Sequence, residues 1–319
     1  MKYIRLHTTD PYLNLAIEEY LLTHTDDDVF MLWQNRPTVV IGKNQNAYVE
    51  VNLAYAEEAG ITVSRRITGG GAVYHDLGNV NYTFITSVDR ARALDYAYFT
   101  RPIIDALADL GLVCQLSGRN DLLCEGRKFS GNAQYCSGGR ILHHGTLLFD
   151  SDTEIMQRVL KINREKLEYH AVKSHQSRVV NLRTLMSEPI GTEDFIAAIE
   201  RKVAASAEHT IPPSGEEIDR LRARNASAAW ICAEKRYLTD YTVYRQKKYP
   251  FGMVKAEIKL NKNQIEGIVL SGDFFGSSPI ETLESMLIGQ DIGCLSPIDP
   301  TPYIDGMTFD DLRFLLTGE

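Results

Sequence analysis

Three consecutive glycines between two stretches of strand character, within S-R-R-I-T-G-G-G-A-V-Y-H-D-L-G-N-V-N-Y-T-F-I at residues 64–85, constrain this chain more than any other run. Such a run packs no side chain and costs backbone entropy on ordering, so it is kept where a ligand or another backbone comes very close. Just before it, Arg65 and Arg66 are permanently cationic, and a guanidinium meets a carboxylate or phosphate at two points. The reading is strand, glycine loop and strand with cations at the mouth, a site for an anionic small molecule. A dinucleotide or P-loop fingerprint is excluded: G-x-G-x-x-G spacing is absent, no G-K-[ST] follows, and Ala72-Val73-Tyr74 has strand character where those motifs need a helix. The turn Asp76-Leu77-Gly78-Asn79 then folds the chain back into a β-rich run at 80–86, giving a hairpin.

The remaining patterning supplies a frame. Asp10-Pro11 reads as an N-cap and first helical position, with Leu13, Ala16, Ile17, Tyr20 and Leu21 along one side. Residues 29–34 and 38–41 read as strands, 53–59 as a short helix ended by Gly60, and 96–110 as a longer one ended by Gly111. Capping boxes Ser151-x-x-Glu154 and Ser214-x-x-Glu217 start two more helices. The order helix, strands, helix, hairpin, helix, hairpin gives an α+β fold of mixed sheets flanked by helices, with the helices on one face. Past Pro250, Val254, Ala256, Ile258 and Leu260 alternate with Lys255, Glu257 and Lys259; a second strand at 265–275 and helices near 279–287 and 309–316 follow. That ββαα unit is small for independent stability, so the chain divides into a large domain at 1–245 and a small one at 246–319 packed upon it. Ahead of the second, Lys235, Arg236, Arg245, Lys247 and Lys248 interleave with Tyr237, Tyr241 and Tyr244, which reads as a docking linker or a contact for an acidic protein.

Charge and cysteine usage act by exclusion. A net charge of −8 over 319 residues argues against a nucleic-acid binder governed by phosphate contacts. Cys114, Cys124, Cys136, Cys232 and Cys294 are odd in number and lack C-x-x-C spacing, so neither a disulfide framework nor a zinc site is indicated. The first residues mix Lys2, Arg5, His7 and Asp10, and no apolar run approaches membrane-spanning length; a cytoplasmic chain with no membrane partner is expected.

A second stretch, 118–150, carries Lys128 in S-G-R-N-D-L-L-C-E-G-R-K-F-S-G-N-A-Q. Read with period two, Lys128, Ser130, Asn132 and Gln134 share one face of a strand while Phe129, Ala133 and Tyr135 share the other. Ser137-Gly138-Gly139 turns into the partner strand R-I-L-H-H-G-T-L-L-F. A lone strand lysine is ordinarily a solvent-facing one, and a lone histidine ordinarily a core one; here the pieces occur together and in order. The glycine run from Arg65 to Phe84 resembles the signature of lipoate–protein ligases, a family grouped with octanoyltransferases and biotin ligases. K-x-x-G-N-A at Lys128 resembles that family's catalytic lysine motif, and His144, Gly145 and Thr146 are similar to its H-x-G-T-L run. V-K-S-H-Q-S-R-V-V-N-L at 172–182 resembles its adenylate-covering segment, inside a polar stretch (161–182) expected to be a lid.

The resemblance implies a biotin/lipoate ligase-like catalytic domain, with the accessory domain that octanoyltransferases usually lack. It implies ATP-dependent attachment of lipoate to a lysine of an acceptor lipoyl domain or H-type carrier protein. The lipoate carboxylate attacks the α-phosphorus of ATP to give lipoyl-adenylate and pyrophosphate, and the acceptor amine then attacks the mixed anhydride. Lys128 becomes the catalytic cation of both steps, and Asn120 and Asp121 the pair facing Mg²⁺. Lipoate and nucleotide binding fall to Trp33, Arg65, Arg66, Thr68, Gly69, Gly70, Gly71, His75, Asn79, Lys128, Ala133, His144, Gly145, Thr146, Lys173 and Arg178. Two alternatives stay open: an ATP-independent octanoyl or lipoyl transferase with Cys136 as the cysteine to hand, and a non-catalytic binder of lipoylated proteins, which would need Lys128 or the glycine loop to be degraded.

Overall fold

Asp10 and Pro11 start a helix for the reason their chemistry gives. In the computed structural model, which describes residues 1–88, 95–161, 179–233 and 240–318, the Asp10 carboxylate accepts from the Tyr12 N–H at 3.0 Å and Pro11 opens the helix Pro11–His24. Asn14, Leu15, Ala16, Ile17, Glu18, Leu21 and Leu22 are buried on it, so two polar residues sit inside the covered arc. Leu13 and Tyr20, expected there, are only partly covered.

The described residues fall in two units, each built from separate stretches. The first is Met1–Val40, Val51–Ser64 and Val73–Ala226; the second is Ile41–Glu50, Arg65–Ala72 and Ser227–Glu319. In chain order the strands are β1 (Lys2–Arg5), β2 (Val29–Trp33), β3 (Thr38–Ile41), β4 (Thr62–Arg65), β5 (Val73–His75), β6 (Asn79–Ser87), β7 (Cys114–Ser117), β8 (Asp121–Cys124), β9 (Arg127–Ser137), β10 (Arg140–Leu148) and β11 (Glu208–His209). An eight-stranded sheet runs β11-β1-β2-β6-β10-β9-β8-β7, and a three-stranded one β4-β3-β5. The sheet is mixed: β1 pairs in parallel with β2 and β11, and the remaining pairs are antiparallel. The glycine run does join two strands, β4 and β5. The expected hairpin after it does not form, because β5 pairs with β3 in the small sheet while β6 enters the large one between β2 and β10.

Register sorts the large sheet into two faces. Trp33, Asn81 and Thr146 stand in one cross-strand row, and Met31, Thr83, His144 and Ala133 in the next; these make a polar face. Leu32, Tyr82, Gly145 and Asn132 stand in a row on the other side, which is the core face. There Phe99, Ile103 and Leu107 of the helix Tyr96–Asp109, with Phe195 and Ile199 of the helix Thr192–Val203, close over Phe30, Leu32, Val80, Tyr82, Ile141 and Leu147. Each large side chain buried there contributes roughly 1.5–3 kcal/mol. The polar face is covered by the helix Pro11–His24, which sends Glu18 to Thr83 and His144. The helix Glu216–Asn225 lies against that helix in turn, with Arg224 on Glu19 and the Asn225 amide on the Tyr12 carbonyl. Helices therefore flank both faces, where the order of elements had suggested one: sequence order does not reveal on which side a crossover passes.

Two caps differ from expectation by one residue. Asp152, not Ser151, accepts from the Glu154 and Ile155 N–H groups, because the Ser151 backbone is held from both sides by the Asn181 amide at 2.9 Å. The helix Glu216–Asn225 starts after Gly215 with no side-chain cap.

The second unit holds β12 (Val243–Tyr249), β13 (Gly252–Asn261) and β14 (Gln264–Gly272) as an antiparallel sheet, with helices Ile280–Leu287 and Phe309–Thr317. Val254, Ala256, Ile258, Ile268, Leu270, Leu283, Leu287, Leu312 and Leu316 form its core. The unit is therefore βββαα, and β12 occupies part of the stretch expected to be a linker. An edge strand blunted by charge shows no apolar alternation, and β12 exposes Tyr244, Arg245 and Lys248. Lys247 lies over the Phe314 ring at 3.6 Å. Lys255, expected to face solvent, is buried against Glu50 at 3.0 Å.

Candidate active site

Lys128 sits at the start of β9, and two tight turns fix where it stands. Glu125 and Gly126 (φ 51° and 74°) join β8 to β9, and Gly138 and Gly139 (φ 56° and 77°) join β9 to β10. Positive φ at both central residues is the two-residue hairpin geometry that sets register. Between the turns lies a bulge: Leu122 pairs with Ser130 and Leu123 with Lys128, leaving Phe129 unmatched. Two steps along β9 thus answer one step along β8, and the alternation expected from sequence does not carry across Phe129. Ser130, Asn132 and Gln134 belong to the core face, where Phe129 joins them; Lys128 belongs with Gly131 and Ala133 on the polar face. A Cβ placed on Gly131 would lie 3.4 Å from the Lys128 Nζ, so the lysine stem runs over that glycine.

Around the lysine, every neighbour constrains it. Its Nζ meets the Asp121 Oδ1 at 2.7 Å, with both side chains over a third exposed. Its carbonyl accepts from the Val180 N–H at 2.9 Å, and Val179 bridges to it in parallel, so the residues just before Leu182 line the strand. Asn120 braces the hairpin: its amide donates to the Asn132 carbonyl at 2.7 Å, and its own carbonyl accepts from the Asn132 N–H at 2.9 Å and from the Asn132 amide at 3.0 Å. On the core face the Tyr82 hydroxyl donates to the Asn132 side-chain oxygen, and burial pushes the Tyr82 pKa up, keeping it a donor. That bond passes directly beneath Gly145, where a Cβ would lie 2.2 Å from Asn132 Oδ1 and 2.6 Å from the tyrosine. Gly145 is therefore a packing requirement on the core side.

The polar face carries a buried network. The Trp33 indole donates to Thr83 Oγ1 at 3.0 Å, Thr83 donates to Glu18 at 2.5 Å, and Glu18 meets the His144 Nδ1 at 3.0 Å. Glu18 is 2% exposed. His75 approaches the Trp33 ring edge-on at 6.1 Å between centroids and exchanges a hydrogen bond with the Asn35 amide at 3.1 Å. Asn79 donates to Asn81 at 2.9 Å, and Thr146 accepts from the Gly131 N–H at 3.3 Å. Trp33, His75, Asn79, Lys128, Ala133, His144 and Thr146 are thus gathered in the first unit. Glu18, Asn35 and Asn81 join them without having been expected; the available signal was Asn14 and Glu18 four residues apart inside an otherwise apolar helix arc.

The glycine loop belongs to the second unit. Arg65 is buried, and its guanidinium donates to the carbonyls of Gly42, Lys43 and Gln45 at 2.7–3.0 Å and of Trp230 and Ile231 at 2.7–3.2 Å. It fastens backbone, where the sequence had suggested a fork for an anion. Arg66 bonds Thr68 Oγ1 at 2.9 Å and the Gly69 and Gly71 carbonyls at 2.7 and 2.8 Å, setting the curve of the loop. A Cβ on Gly69 would lie 2.4 Å from the Phe274 carbonyl oxygen, and Gly70 has φ +90°, whereas Gly71 meets nothing within 4 Å. Gly69 answers to close backbone, Gly70 to its left-handed conformation under the Phe275 and Arg66 side chains, and Gly71 faces open space.

Lys173 and Arg178, and nearly all of the expected lid, lie outside the described residues. Cys136 is on the core face with Gln134, opposite Lys128, and burial pushes its thiol up, which disfavours the thiolate that a transferase nucleophile needs. Among the described residues no three His, Cys, Asp or Glu side chains gather closely enough to hold a metal by themselves. The Asp121 carboxylate beside Lys128 nevertheless fits Mg²⁺ carried by a nucleotide, with an amide oxygen available on the adjacent Asn120 and phosphate and water to complete the set.

Comparison with known proteins decides the family. Residues 10–204 match the lipoyl protein ligase A/B catalytic domain, and residues 239–311 the bacterial lipoate protein ligase C-terminus. The chain is similar to lipoate-protein ligase LplJ of Bacillus subtilis, 38% identical over 292 residues covering 88% of this chain and 87% of that one. The chain belongs to the lipoate–protein ligase family. As a lipoate–protein ligase it is an enzyme, and lipoate–protein ligase 1 of Staphylococcus aureus is similar to it at 36% identity over 91% of this chain and 90% of that one. The fold of P. falciparum LipL1, solved in complex with lipoate, matches with a TM-score of 0.81 at 22% identity over 100% of this chain and 99% of that one. Lipoate-protein ligase A bound with ATP matches with a TM-score of 0.61 at 23% identity over 72% of this chain and 98% of that one. The lipoate ligase-like fold with its C-terminal small-sheet unit is therefore the fold of this family member.

Proposed function

We propose that this ligase activates lipoate with ATP at the polar face of the large sheet and passes the acyl group to a lysine of a lipoyl-domain or H-type carrier protein. The observation that carries the reading is the bulge at Phe129, which puts the Lys128 ammonium on the same face as Trp33, Thr146 and His144 and holds it there through Asp121. In the first step the lipoate carboxylate displaces pyrophosphate from the α-phosphorus, and Lys128 offsets the charge gathering there. In the second the acceptor amine adds to the acyl carbonyl, the C–O bond to AMP breaks, and the same ammonium faces the oxyanion. A preorganised donor of this kind contributes about 3–4 kcal/mol to the barrier. Mg²⁺, when bound, would neutralise phosphate charge; Asp121 and the Asn120 oxygen are the residues that would hold it. Arg66, Thr68 and Gly69–Gly71 are proposed to bind ligand through a loop shaped by Arg66, with Arg65 holding the loop's base. Lys173 and Arg178 are proposed contacts on the segment covering the adenylate. The division of labour between a catalytic and an accessory domain is part of the same proposal, as is action in the cytoplasm; among the described residues no helix is long and apolar enough to cross a membrane.

The test is pyrophosphate release from ATP and Mg²⁺ that depends on lipoate, measured without acceptor for the wild type and Lys128→Ala. Release that collapses in the variant supports adenylate formation at Lys128; unchanged release sinks it.

A further inference from the structure

Nothing in the spacing of the cysteines hints that two of them meet, yet the fold sets them face to face. Cys114 opens β7 and Cys124 closes β8, and the antiparallel register places one directly across from the other. Both lie on the core face with Leu116 and Leu122, and the two thiols share a hydrogen bond. Cys124 is 2% exposed, whereas Cys114 is partly open. In the large sheet β7 is the last strand and is held through β8, so the outer thiol stands at an edge that a small reagent reaches. Burial pushes the Cys114 thiol up and the adjacent Cys124 adds to this, so the sulfurs rest as thiols and react slowly near neutral pH.

Directly opposed antiparallel residues have Cα atoms about 4.5–5.5 Å apart, inside the range of about 4.4–6.8 Å that a disulfide spans. Their Cβ atoms stand about 4.5–5.5 Å apart where a disulfide needs about 3.5–4.5 Å, so closing the bond draws the strands together by roughly 1 Å. One residue inward from Cys124 is Leu123, which pairs with Lys128 beside the bulge at Phe129. At the other end of the same four-residue strand, Asp121 holds the ammonium. We propose that Cys114 and Cys124 are a modification site that closes to a disulfide by exchange with a low-molecular-weight disulfide, and that closure slows the ligase by displacing the strand that carries Asp121 and meets Lys128. The inference rests on the ligase reading above. In the first step the Cys114 thiolate attacks one sulfur of the small disulfide, whose S–S bond breaks; the departing thiolate takes up the proton that Cys114 gave. Cys124 then attacks the Cys114 sulfur, and the mixed disulfide breaks to release the second small thiol with the Cys124 proton. Two cysteines are oxidised and one small disulfide is reduced to two thiols. An excess of small thiol runs both steps backwards, so the pair stays open in a reducing compartment and closes where disulfides accumulate.

The test treats the intact chain with oxidised glutathione, removes the reagent, and reads both the peptide linkage by mass and the lipoate-dependent release of pyrophosphate. The proteins are the wild type and Cys114→Ser, with Cys124→Ala carrying the same comparison if Cys114→Ser does not fold. In the wild type the tryptic peptides on either side of Arg119 are expected to be joined through Cys114 and Cys124. Release should fall at least about 10-fold, since a misplacement near 1 Å costs on the order of 10²-fold, and dithiothreitol should restore it. Cys114→Ser should match the reduced wild type before and after treatment; glutathione adducts on Cys136, Cys232 and Cys294 are common to both proteins and cancel in the comparison. Absence of the linkage, or a reaction that stops at a glutathione adduct on Cys114, overturns the site. A linkage with unchanged release, or an equal loss in Cys114→Ser, overturns its control of the ligase. If the reduced wild type releases no pyrophosphate, the parent reading fails and the slowing with it, while the linkage still decides whether the two thiols close.

Discussion

His143 and His144 are neighbours on β10, yet one is a core residue and the other part of the polar face proposed to carry the chemistry. His143 stacks on Phe99 at 4.8 Å, has Gln134 on its Nδ1 at 3.0 Å, and is fully buried. His144 meets the Glu18 carboxylate. Pleating alone separates them, since successive strand residues point to opposite sides. The core face is filled by Phe30, Leu32, Phe99, Phe195 and their neighbours, and Tyr82 and Asn132, which it admits, are tied to each other. The polar face lets a carboxylate and an ammonium stand close together. On the proposed reading one sheet thus has a face on which errors should unfold it and a face on which they should stop the reaction.

The largest expected effect tests the polar face alone. Lys128→Ala should lower lipoate-dependent pyrophosphate release by about 10²–10³-fold. Its stability in urea should change by less than about 1 kcal/mol, because an exposed pair with Asp121 contributes little. Unfolding on that substitution would break the contrast. Next, Gly145→Ala drives a Cβ into Asn132 and Tyr82; it should cost about 2–3 kcal/mol in denaturant unfolding, with activity per folded molecule reduced far less. A smaller effect is expected from Glu18→Gln, which weakens the acceptor shared by Thr83 and His144; it should cost about 1–2 kcal/mol by thermal unfolding and raise the KM for lipoate.

The smallest is a pH effect on the core face. Burial holds the His143 pKa well below 6.5, so the folded state keeps it neutral while the unfolded chain takes up a proton below about pH 6.5. The stability it contributes is whole above that pH and is lost as pH falls toward the depressed folded value, at up to about 1.4 kcal/mol per pH unit. His143→Phe, which retains the stacking on Phe99, should flatten the acid limb of urea midpoint against pH. An unaltered limb would mean that other groups set it.

Much of this could be read from local pattern. The Asp10–Pro11 helix start, the strand bearing Lys128, its glycine turn and the C-terminal alternation are decided by neighbours in sequence, and they stand where expected. What escaped depends on residues far away in the chain. The bulge at Phe129 exists only through pairing with Leu122 and Leu123, so period two placed Lys128 on the wrong face with Ser130 and Asn132. Arg65 looked like an anion fork because the carbonyls of Trp230 and Ile231 that it binds lie over 160 residues on. Glu18 was not singled out by local pattern, because its partner His144 is 126 residues away. The strand Val243–Tyr249 was hidden by the charges that keep its edge from pairing with other chains.

The unmatched Phe129 also makes the chain sensitive to being counted. Inserting one residue between Leu122 and Leu123 would give Phe129 a partner, and the strand would close without a gap. The cost would be that the ammonium turns to the side that holds Tyr82 and Phe99. A lineage could therefore lose the proposed chemistry through a three-base insertion while its hairpin stayed regular, and length across residues 122–130 is the first property to compare in any homologue before its activity is assumed.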